Sequence, residues 1–193
     1  MIDKNRYDLS LIASGKIEGS FVERMPDIHL IHLDTGFEKA SISDVFRNTD
    51  MLATNRAGKN YNVQMKSRWS NKEDICFECC GYKGTIKENA IYGTYYSKKY
   101  KSYIWPNFKD MDIFSVYISS RDKTYNFLRF FLDVMFSKKE IWELADIRPA
   151  QARSGENKFL AYFPPDLFIR LYTNCVEHVT SGKLSPPPLP TEH

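Results

Sequence analysis

The chain has 193 residues, of which 42% are hydrophobic, 15% aromatic and 26% charged, and its formal net charge is +3. A chain of this length can bury a core without disulfides or structural metal, and the composition is globular rather than disordered. No apolar run reaches the roughly 20 residues that a membrane span needs, and the first residues lack the apolar core of a secretory signal. We therefore expect a cytoplasmic protein with no membrane partner.

The cysteines are candidate metal ligands, and they stand at Cys76, Cys79, Cys80 and Cys175. They include one C-x-x-C spacing, but no second pair or nearby histidine completes a tetrahedral zinc set. We expect reduced thiols packed in a strand. His29 and His32 could share a metal only in a helix, since a strand would point them to opposite faces.

The first predicted element is a helix that runs to about Met25 and is limited by Pro26. Its apolar stripe consists of Leu9, Ile12, Ile17, Phe21, Val22 and Met25. The next segment, "DIHLIHLD", alternates at period two and predicts a strand, with a helical continuation as the alternative. Three short β-rich segments follow, namely "DMLAT", "YNVQMKSRW" and "DICFECC".

The second half of the chain predicts a hairpin, "MDIFSVYIS" and "KTYNFLRFF", around "SRD". Ser137 and Glu140 are spaced as a capping box that opens a helix through "EIWELAD". "NKFLAYF" predicts a last strand, and "PPDLFIRLYTNCVEHV" predicts a helix opened by proline. The buried side of that helix should hold Leu167, Phe168, Leu171 and Val176. We expect one domain over residues 1–180 and a disordered, proline-rich tail over 181–193.

The segment from Asp50 to Lys66 contains a polar set that a packing strand does not need. If residues 56–58 form a three-residue loop with Gly58 in the left-handed conformation, the ladder places Asp50 opposite Gln64. Facing residues project to the same side, and alternation adds Lys66 to that side. A register shifted by one residue would separate Asp50 from Gln64.

A carboxylate, an amide oxygen and an ammonium on one side of a sheet suit phosphodiester hydrolysis. The two oxygen ligands can hold Mg²⁺, which polarises a phosphoryl oxygen and lowers the pKa of a bound water. The lysine can orient that water or stabilise negative charge as it develops. The alternative is a hairpin with an ordinary exposed polar face.

Asp50, then Gln64-x-Lys66 on the next strand followed by Ser67 and Arg68, resembles the motif of the PD-(D/E)xK endonuclease superfamily. The likeness is to a branch of small bacterial endonucleases that includes a cyanobacterial group I intron homing endonuclease, where glutamine can occupy the middle position. In that branch a segment with tyrosine and lysine leads into a D-x-F-x-V-Y strand, as "KKYKSYIWPNFKDMDIFSVYI" does here. The resemblance covers roughly residues 15–131.

The resemblance implies an α/β fold with a restriction-endonuclease-like core, in which a mixed, mainly antiparallel central sheet is flanked by helices. It implies Mg²⁺-dependent cleavage of double-stranded DNA, of homing or restriction type, with Mn²⁺ able to substitute. The alternatives are a structure-selective repair or junction nuclease and a catalytically silent DNA-binding module. Because cutting both strands usually calls for two sites, we expect a homodimer or homotetramer.

The resemblance also implies a glutamate from the first helix as a further metal ligand. Glu18 fits by its place after Gly15, and Glu23 is the competitor. The expected catalytic residues are Glu18, Asp50, Gln64 and Lys66, with the first three as metal ligands. Gln64 replaces an acid of the motif, which removes one negative charge and should weaken Mg²⁺ binding unless the glutamate compensates. Thr49 stands where the motif has proline.

The residues expected to contact DNA are Arg68, Trp69, Lys98, Lys99, Lys101, Gln151 and Arg153. The three lysines alternate with tyrosines in "YYSKKYKSY", which could neutralise phosphates and lay rings against sugars or bases. Glutamine and arginine make bidentate contacts to adenine and guanine edges. A solvated loop is the alternative for both segments.

Overall fold

The computed structural model describes residues 4–32, 50–69, 73–83, 93–108, 110–150 and 158–183. Within these ranges it has α1 (Lys4–Arg24), α2 (Arg129–Phe136), α3 (Lys139–Glu143) and α4 (Pro165–Thr180). The strands are β1 (His29–His32), β2 (Met51–Thr54), β3 (Asn60–Arg68), β4 (Ile75–Tyr82), β5 (Tyr95–Ser97), β6 (Ser102–Pro106), β7 (Ile113–Ile118), β8 (Lys123–Leu128), β9 (Asp146–Ala150) and β10 (Lys158–Phe163). No helix in these ranges is long and apolar enough to cross a membrane.

The expected α/β class is confirmed, but the strands are divided between two five-stranded sheets instead of forming one central sheet. The first sheet has the order β1-β2-β3-β7-β8, in which β3 and β7 are parallel and the other neighbours antiparallel. The second has the order β5-β6-β4-β10-β9 and is antiparallel throughout. The described strands are thus mixed and mainly antiparallel, as expected.

The chain divides into two compact units, and each is built from two chain segments. Met1–Glu73 and Phe108–Arg129 form the first unit, and Asp74–Asn107 and Phe130–His193 form the second. The first sheet and α1 belong to the first unit, and the second sheet belongs to the second. The predicted single domain over residues 1–180 stays a prediction, and the predicted tail lies outside the described residues from position 184 onward.

Helix α1 packs on one face of the first sheet. Ala13, Ile17 and Phe21 are spaced four apart, so they lie on one side of the helix, and all are buried. They form a cluster with buried residues of the sheet, which are Met51, Ala53, Val63, Ile113 and Tyr117. The predicted stripe was wrong in half of its members, because Ile12, Val22 and Met25 are 51%, 50% and 42% exposed.

The second sheet buries one face against aromatic side chains of its own unit. Phe77 of β4 contacts Phe136 of α2 and Phe168 of α4, with ring centroids 5.2 and 5.1 Å apart. Phe163 of β10 completes this group, and all four rings are at most 1% exposed. On α4, where Pro165 occupies the predicted first turn, Phe168 is fully buried, and Leu167, Leu171 and Val176 are half-buried.

Three sequence predictions in the second half were wrong. The strand "KTYNFLRFF" ends at Leu128, and α2 begins at Arg129 because the following apolar residues bury themselves at helical spacing. The capping box is not made, since Ser137 Oγ donates to the carbonyl of Val134 and Lys138 precedes the helix. The loop predicted around Gln151 and Arg153 was expected to include Arg148, but residues 148–150 lie in β9, which pairs with β10.

All four cysteines are free thiols, of which Cys76, Cys79 and Cys80 lie in β4 as predicted, whereas Cys175 lies in α4. Cys79 lies buried on the core face of β4, while Cys76 and Cys80 lie half-buried on the other face, so the C-x-x-C pair cannot converge. Burial raises the pKa of the Cys79 thiol well above its ordinary value and raises the pKa of Cys175 as well. Burial thus disfavours the thiolate, which is the reactive form of cysteine, at both positions.

Candidate active site

The hairpin of β2 and β3 has the predicted register. Met51 faces Val63 and Thr54 faces Asn60, and the loop closes with the amide of Asn55 donating to the carbonyl of Lys59 at 3.0 Å. Gly58 has a φ of 78°, the left-handed conformation that side-chain-bearing residues rarely adopt. The three-residue loop with glycine in third place therefore fixes which residues face each other.

Asp50 lies one residue before β2 and ends the ladder with its side chain. Its amide donates to the carbonyl of Val63 at 2.9 Å. Its Oδ2 accepts hydrogen bonds from Nε2 of Gln64 at 2.9 Å and from the amide of Met65 at 2.5 Å. Asp50 and Gln64 are thus in direct contact, as the register predicted. The same bonds give the carboxylate a structural role, because it accepts from the Met65 amide at a point of β3 that lies beyond the start of β2.

Gln64 is only 2% exposed, and one half of its amide is unsatisfied. Nε2 donates to Asp50, but Oε1 is buried with no hydrogen-bond partner. An unsatisfied buried acceptor costs about 1–3 kcal/mol. Rotating the amide would not help, because Oε1 would then meet the carboxylate oxygen of Asp50. The corner of the hairpin formed by Asp50 and Gln64 therefore has a buried acceptor oxygen that a cation or a hydrogen-bond donor would satisfy.

Lys66 and Arg68 share the face of Gln64. Val63 and Met65 pack in the cluster with α1, so alternation directs Gln64, Lys66 and Arg68 to the opposite face of the sheet. Lys66 and Arg68 are half-buried. Trp69 instead packs on the α1 side, where its ring makes an edge contact with Tyr117 at 5.5 Å between centroids. Trp69 thus has a packing role in addition to any contact with DNA.

Glu18 and Glu23 lie on opposite flanks of α1. Asn126 of β8 donates to Oγ of Ser20 at 3.1 Å, and Lys16 Nζ is 2.7 Å from Asp122, so this flank of the helix faces β8. At about 100° per residue, Glu23 is about 20° from Lys16 around the axis, whereas Glu18 is about 160° away. Glu18 is half-buried and Glu23 exposed. Glu18 is therefore the glutamate on the flank towards β2 and β3, although α1 covers the sheet face opposite to Gln64.

An ion pair fixes α1 against the end of β7. The hydrogen bond between Lys16 and Asp122 raises the pKa of the lysine and lowers that of the carboxyl. The hydroxyl of Tyr117 donates to the same carboxylate at 2.9 Å. The pKa of Tyr117 is raised mainly by burial and secondly by this hydrogen bond. The helix that carries Glu18 is thus held in place by charged contacts as well as by its apolar face.

The donor atoms at this corner suit a hard cation. No three histidine, cysteine, aspartate or glutamate side chains converge anywhere in the described ranges. A metal site here would instead combine the carboxylate of Asp50 with the amide oxygen of Gln64. Oxygen donors of this kind suit Mg²⁺ or Mn²⁺ rather than zinc. The unsatisfied Oε1 is the observation that fits such an ion.

The remaining predicted DNA contacts belong to the second unit. Lys98, Lys99 and Lys101 are exposed in the turn between β5 and β6. Lys99 lies 5.0 Å from the centroid of the Tyr100 ring, and its hydrogen bond with Tyr100 raises the lysine pKa. Gln151 and Arg153 lie outside the described residues. The sequence did not reveal which tyrosines near these lysines share a face, since that depends on pairing with β4.

No family model matches the chain, and a search of curated proteins finds no match. Among solved structures, the fold of this chain is similar to that of a bacterial homing endonuclease, I-Ssp6803I. The two sequences are 15% identical, and the match covers 72% of this chain and 74% of that chain. The TM-score is 0.37, which is a loose likeness.

Proposed function

We propose that this protein is a metal-dependent endonuclease that hydrolyses phosphodiester bonds of double-stranded DNA. The observation that supports the proposal is the contact between Asp50 and Gln64, in which a buried amide oxygen is left unsatisfied beside a carboxylate. The register of β2 and β3 adds Lys66 to the same face. A carboxylate, an oxygen ligand and a lysine on one face suit metal-dependent phosphodiester hydrolysis.

Asp50 and Gln64 would hold Mg²⁺ or Mn²⁺ through one oxygen each, and Glu18 is proposed as the third ligand although its helix covers the sheet face opposite to Gln64. The ion supplies polarisation of the phosphoryl group and acidification of a water molecule. Gln64 contributes no charge, so the second carboxylate is needed to reach the affinity of an ordinary two-acid site. Glu18 is preferred to Glu23 because it lies on the helix flank towards β2 and β3.

Lys66 would act on the substrate. Its ammonium can stabilise the negative charge that develops on the phosphoryl oxygens, or orient the attacking water. Because the side chain is half-buried, its field is less screened than that of a surface lysine. The lysine also offsets the charge of the DNA backbone at the point of attack. Arg68, two residues further along the same face, would contact a neighbouring phosphate.

The test is cleavage of supercoiled plasmid and of a duplex library in Mg²⁺, in Mn²⁺ and in EDTA. We expect cleavage by the wild type with either metal, and a loss of about 10²–10³-fold in rate for Lys66→Ala and Asp50→Asn. Lys59→Ala is the matched control, because Lys59 is an exposed lysine of the same hairpin that lies 5.0 Å from the Tyr61 ring centroid. It should cut like the wild type.

Glu18→Gln and Glu23→Gln form a second matched pair in the same assay. Glu18→Gln should raise the Mg²⁺ concentration needed for half-maximal cleavage and reduce the rise in melting temperature that Mg²⁺ produces. Glu23→Gln should leave both unchanged. A Lys66→Ala protein that cuts as fast as the wild type would sink the catalytic assignment. A wild type that binds duplex DNA without cutting it would identify a silent binding module instead.

A further inference from the structure

Three tyrosines form a row across adjacent strands of the second sheet. Tyr103 of β6 faces Tyr96 of β5 on one side and Tyr82 of β4 on the other. Facing residues of antiparallel strands project to the same side, so the three rings share one face of the sheet. The rings of Tyr96 and Tyr103 are in contact, with centroids 5.0 Å apart. We call these three residues the tyrosine row.

The tyrosine row is not part of the core. The core face of the same sheet holds Phe77 of β4, Ile104 of β6 and Phe159 of β10, which are at most 4% exposed. Tyr82 and Tyr96 point the other way and are 49% and 46% exposed. Burial in the core therefore explains one face of this sheet and leaves the aromatic character of the other unexplained.

The next row on the same face continues the pattern with an aromatic ring and a cation. Cys80 of β4 faces Trp105 of β6 and Lys158 of β10. Because residues two apart in a strand share a face, Trp105 lies beside Tyr103. Trp105 is half-buried and Lys158 is exposed. Four aromatic rings thus lie on three neighbouring strands, with a lysine at their border.

Positive charge surrounds the tyrosine row. The exposed lysines Lys98, Lys99 and Lys101 occupy the turn that joins β5 to β6, directly after the row, and Lys83 follows Tyr82. On this face the described strands carry two acidic side chains, namely Asp146, which is engaged by Arg148 at 2.5 Å, and Glu78 of β4, so the lysines outnumber the carboxylates. The arrangement is therefore complementary to an anionic partner that also offers flat apolar surfaces.

We propose that this aromatic face binds unpaired bases of single-stranded DNA. Exposed aromatic side chains on a sheet stack on splayed-out bases, while surrounding lysines contact the phosphates. In a duplex the faces of the bases are already stacked on each other, so the rings select unpaired nucleotides. The inference deepens the proposed endonuclease function, on which it rests for DNA as the nucleic acid, and it favours substrates with a single-stranded stretch, such as junctions and flaps. A second copy of this chain fits the face less well, because it would bring two sets of lysines together.

Binding can be measured without cleavage on the full-length chain. A fluorescein-labelled 30-nucleotide poly-dT strand and a duplex of the same length are titrated with protein in EDTA, and anisotropy gives both affinities at two salt concentrations. We expect tighter binding of the single strand. Tyr103→Ala should weaken it by about 5- to 100-fold. Tyr103→Phe, which keeps the ring, should bind like the wild type.

Two further variants cover the case in which Tyr103→Ala does not fold. Tyr82→Ala removes a half-exposed ring of the row, and Lys98→Glu reverses a charge of the exposed turn. Both should weaken single-strand binding, and Lys98→Glu should also flatten its salt dependence. Tyr61→Ala, in the first unit, is the matched aromatic control and should bind like the wild type.

The outcomes separate this inference from the proposed function. Preferred binding of the duplex, or unchanged binding by both Tyr82→Ala and Lys98→Glu, would overturn the aromatic face as a base-stacking site even if the wild type cuts DNA. Dissociation of an oligomer by Tyr82→Ala in size-exclusion chromatography would assign the face to a second copy. Intact single-strand binding by a wild type that never cleaves would support the face and remove only the endonuclease.

Discussion

The buried side chain at position 64 lies beside the carboxylate of Asp50, and a neutral glutamine and a charged glutamate would behave differently there. Gln64 can donate to Asp50 through Nε2, so no positive charge is needed to keep the two side chains together. The unsatisfied Oε1 is the cost of that arrangement. A glutamate in its place would have two acceptors and no donor, so the pair would depend on a cation. Under the proposed function, glutamine gives a hairpin that needs no metal to form, and metal binding would be weaker in return.

We therefore expect Gln64→Glu to make the folded state dependent on Mg²⁺. Without metal, two carboxylates meet at a position where Gln64 is 2% exposed, and the variant should lose about 2 kcal/mol of stability, or about 4–8 °C in melting temperature. Adding Mg²⁺ should restore most of this loss, so that the metal-induced rise in melting temperature exceeds that of the wild type. Thermal melts followed by circular dichroism, with MgCl₂ or EDTA, measure both effects.

Asn60→Asp is the control for this added charge. Asn60 lies on the same strand, is exposed, and accepts a hydrogen bond from Thr54 Oγ1 at 2.7 Å, which an aspartate can also accept. Its melting temperature should not respond to Mg²⁺ more than that of the wild type. If Gln64→Glu is as stable as the wild type in EDTA and equally indifferent to Mg²⁺, then this corner binds no cation.

Gly19 and Gly58 lie in elements of the first unit that position the site. Replacing each by alanine should change the free energy of unfolding in opposite directions. Gly19 lies within α1, and a Cβ placed there meets nothing within 4 Å. Gly19→Ala should therefore raise the free energy of unfolding by about 0.5–1 kcal/mol, because alanine favours the helix. At Gly58 a Cβ also has room, but the φ of 78° is left-handed, so Gly58→Ala should cost about 1–2 kcal/mol.

Urea unfolding of the two variants checks these signs against each other. Both changes add one methyl group in open space, so the difference between them isolates the backbone conformation. The m-value should stay constant, since neither substitution changes the surface exposed on unfolding. A destabilised Gly19→Ala would reveal a partner that packs closely against the outer side of α1.

The local elements of the site were predictable from the sequence, and the long-range ones were not. Loop length and Gly58 together determine the register of β2 and β3, so the contact of Asp50 with Gln64 followed from neighbouring residues. The buried stripe of α1 did not, because Ile12 and Val22 give the exposed side a competing apolar pattern. Strand β9 was missed because Pro149 weakens its strand signal, and the strand is tolerated because it lies at the edge of its sheet.

At the scale of the whole molecule, the chain passes between its two units three times. Neither unit is one continuous segment, since residues 74–107 leave the first unit and return to it at Phe108. The residues proposed for catalysis lie in the first unit, and the tyrosine row lies in the second. Each chain therefore contributes one set of Asp50, Gln64 and Lys66. Under the proposed function one set would cut one strand at a time, so a double-strand break would require either two copies or two successive cuts.

We expect two copies, which a mixture of active and inactive chains can test. Wild-type and Lys66→Ala chains carrying different affinity tags are co-expressed, and tandem purification isolates oligomers that contain both. Such mixed oligomers should convert supercoiled plasmid to open circles, whereas doubly tagged wild-type oligomers should release linear DNA. Linear product from the mixed species at the wild-type rate would mean that one site cuts both strands. Failure to recover any mixed species would show a monomer, and the wild type should then accumulate open circles before linear DNA.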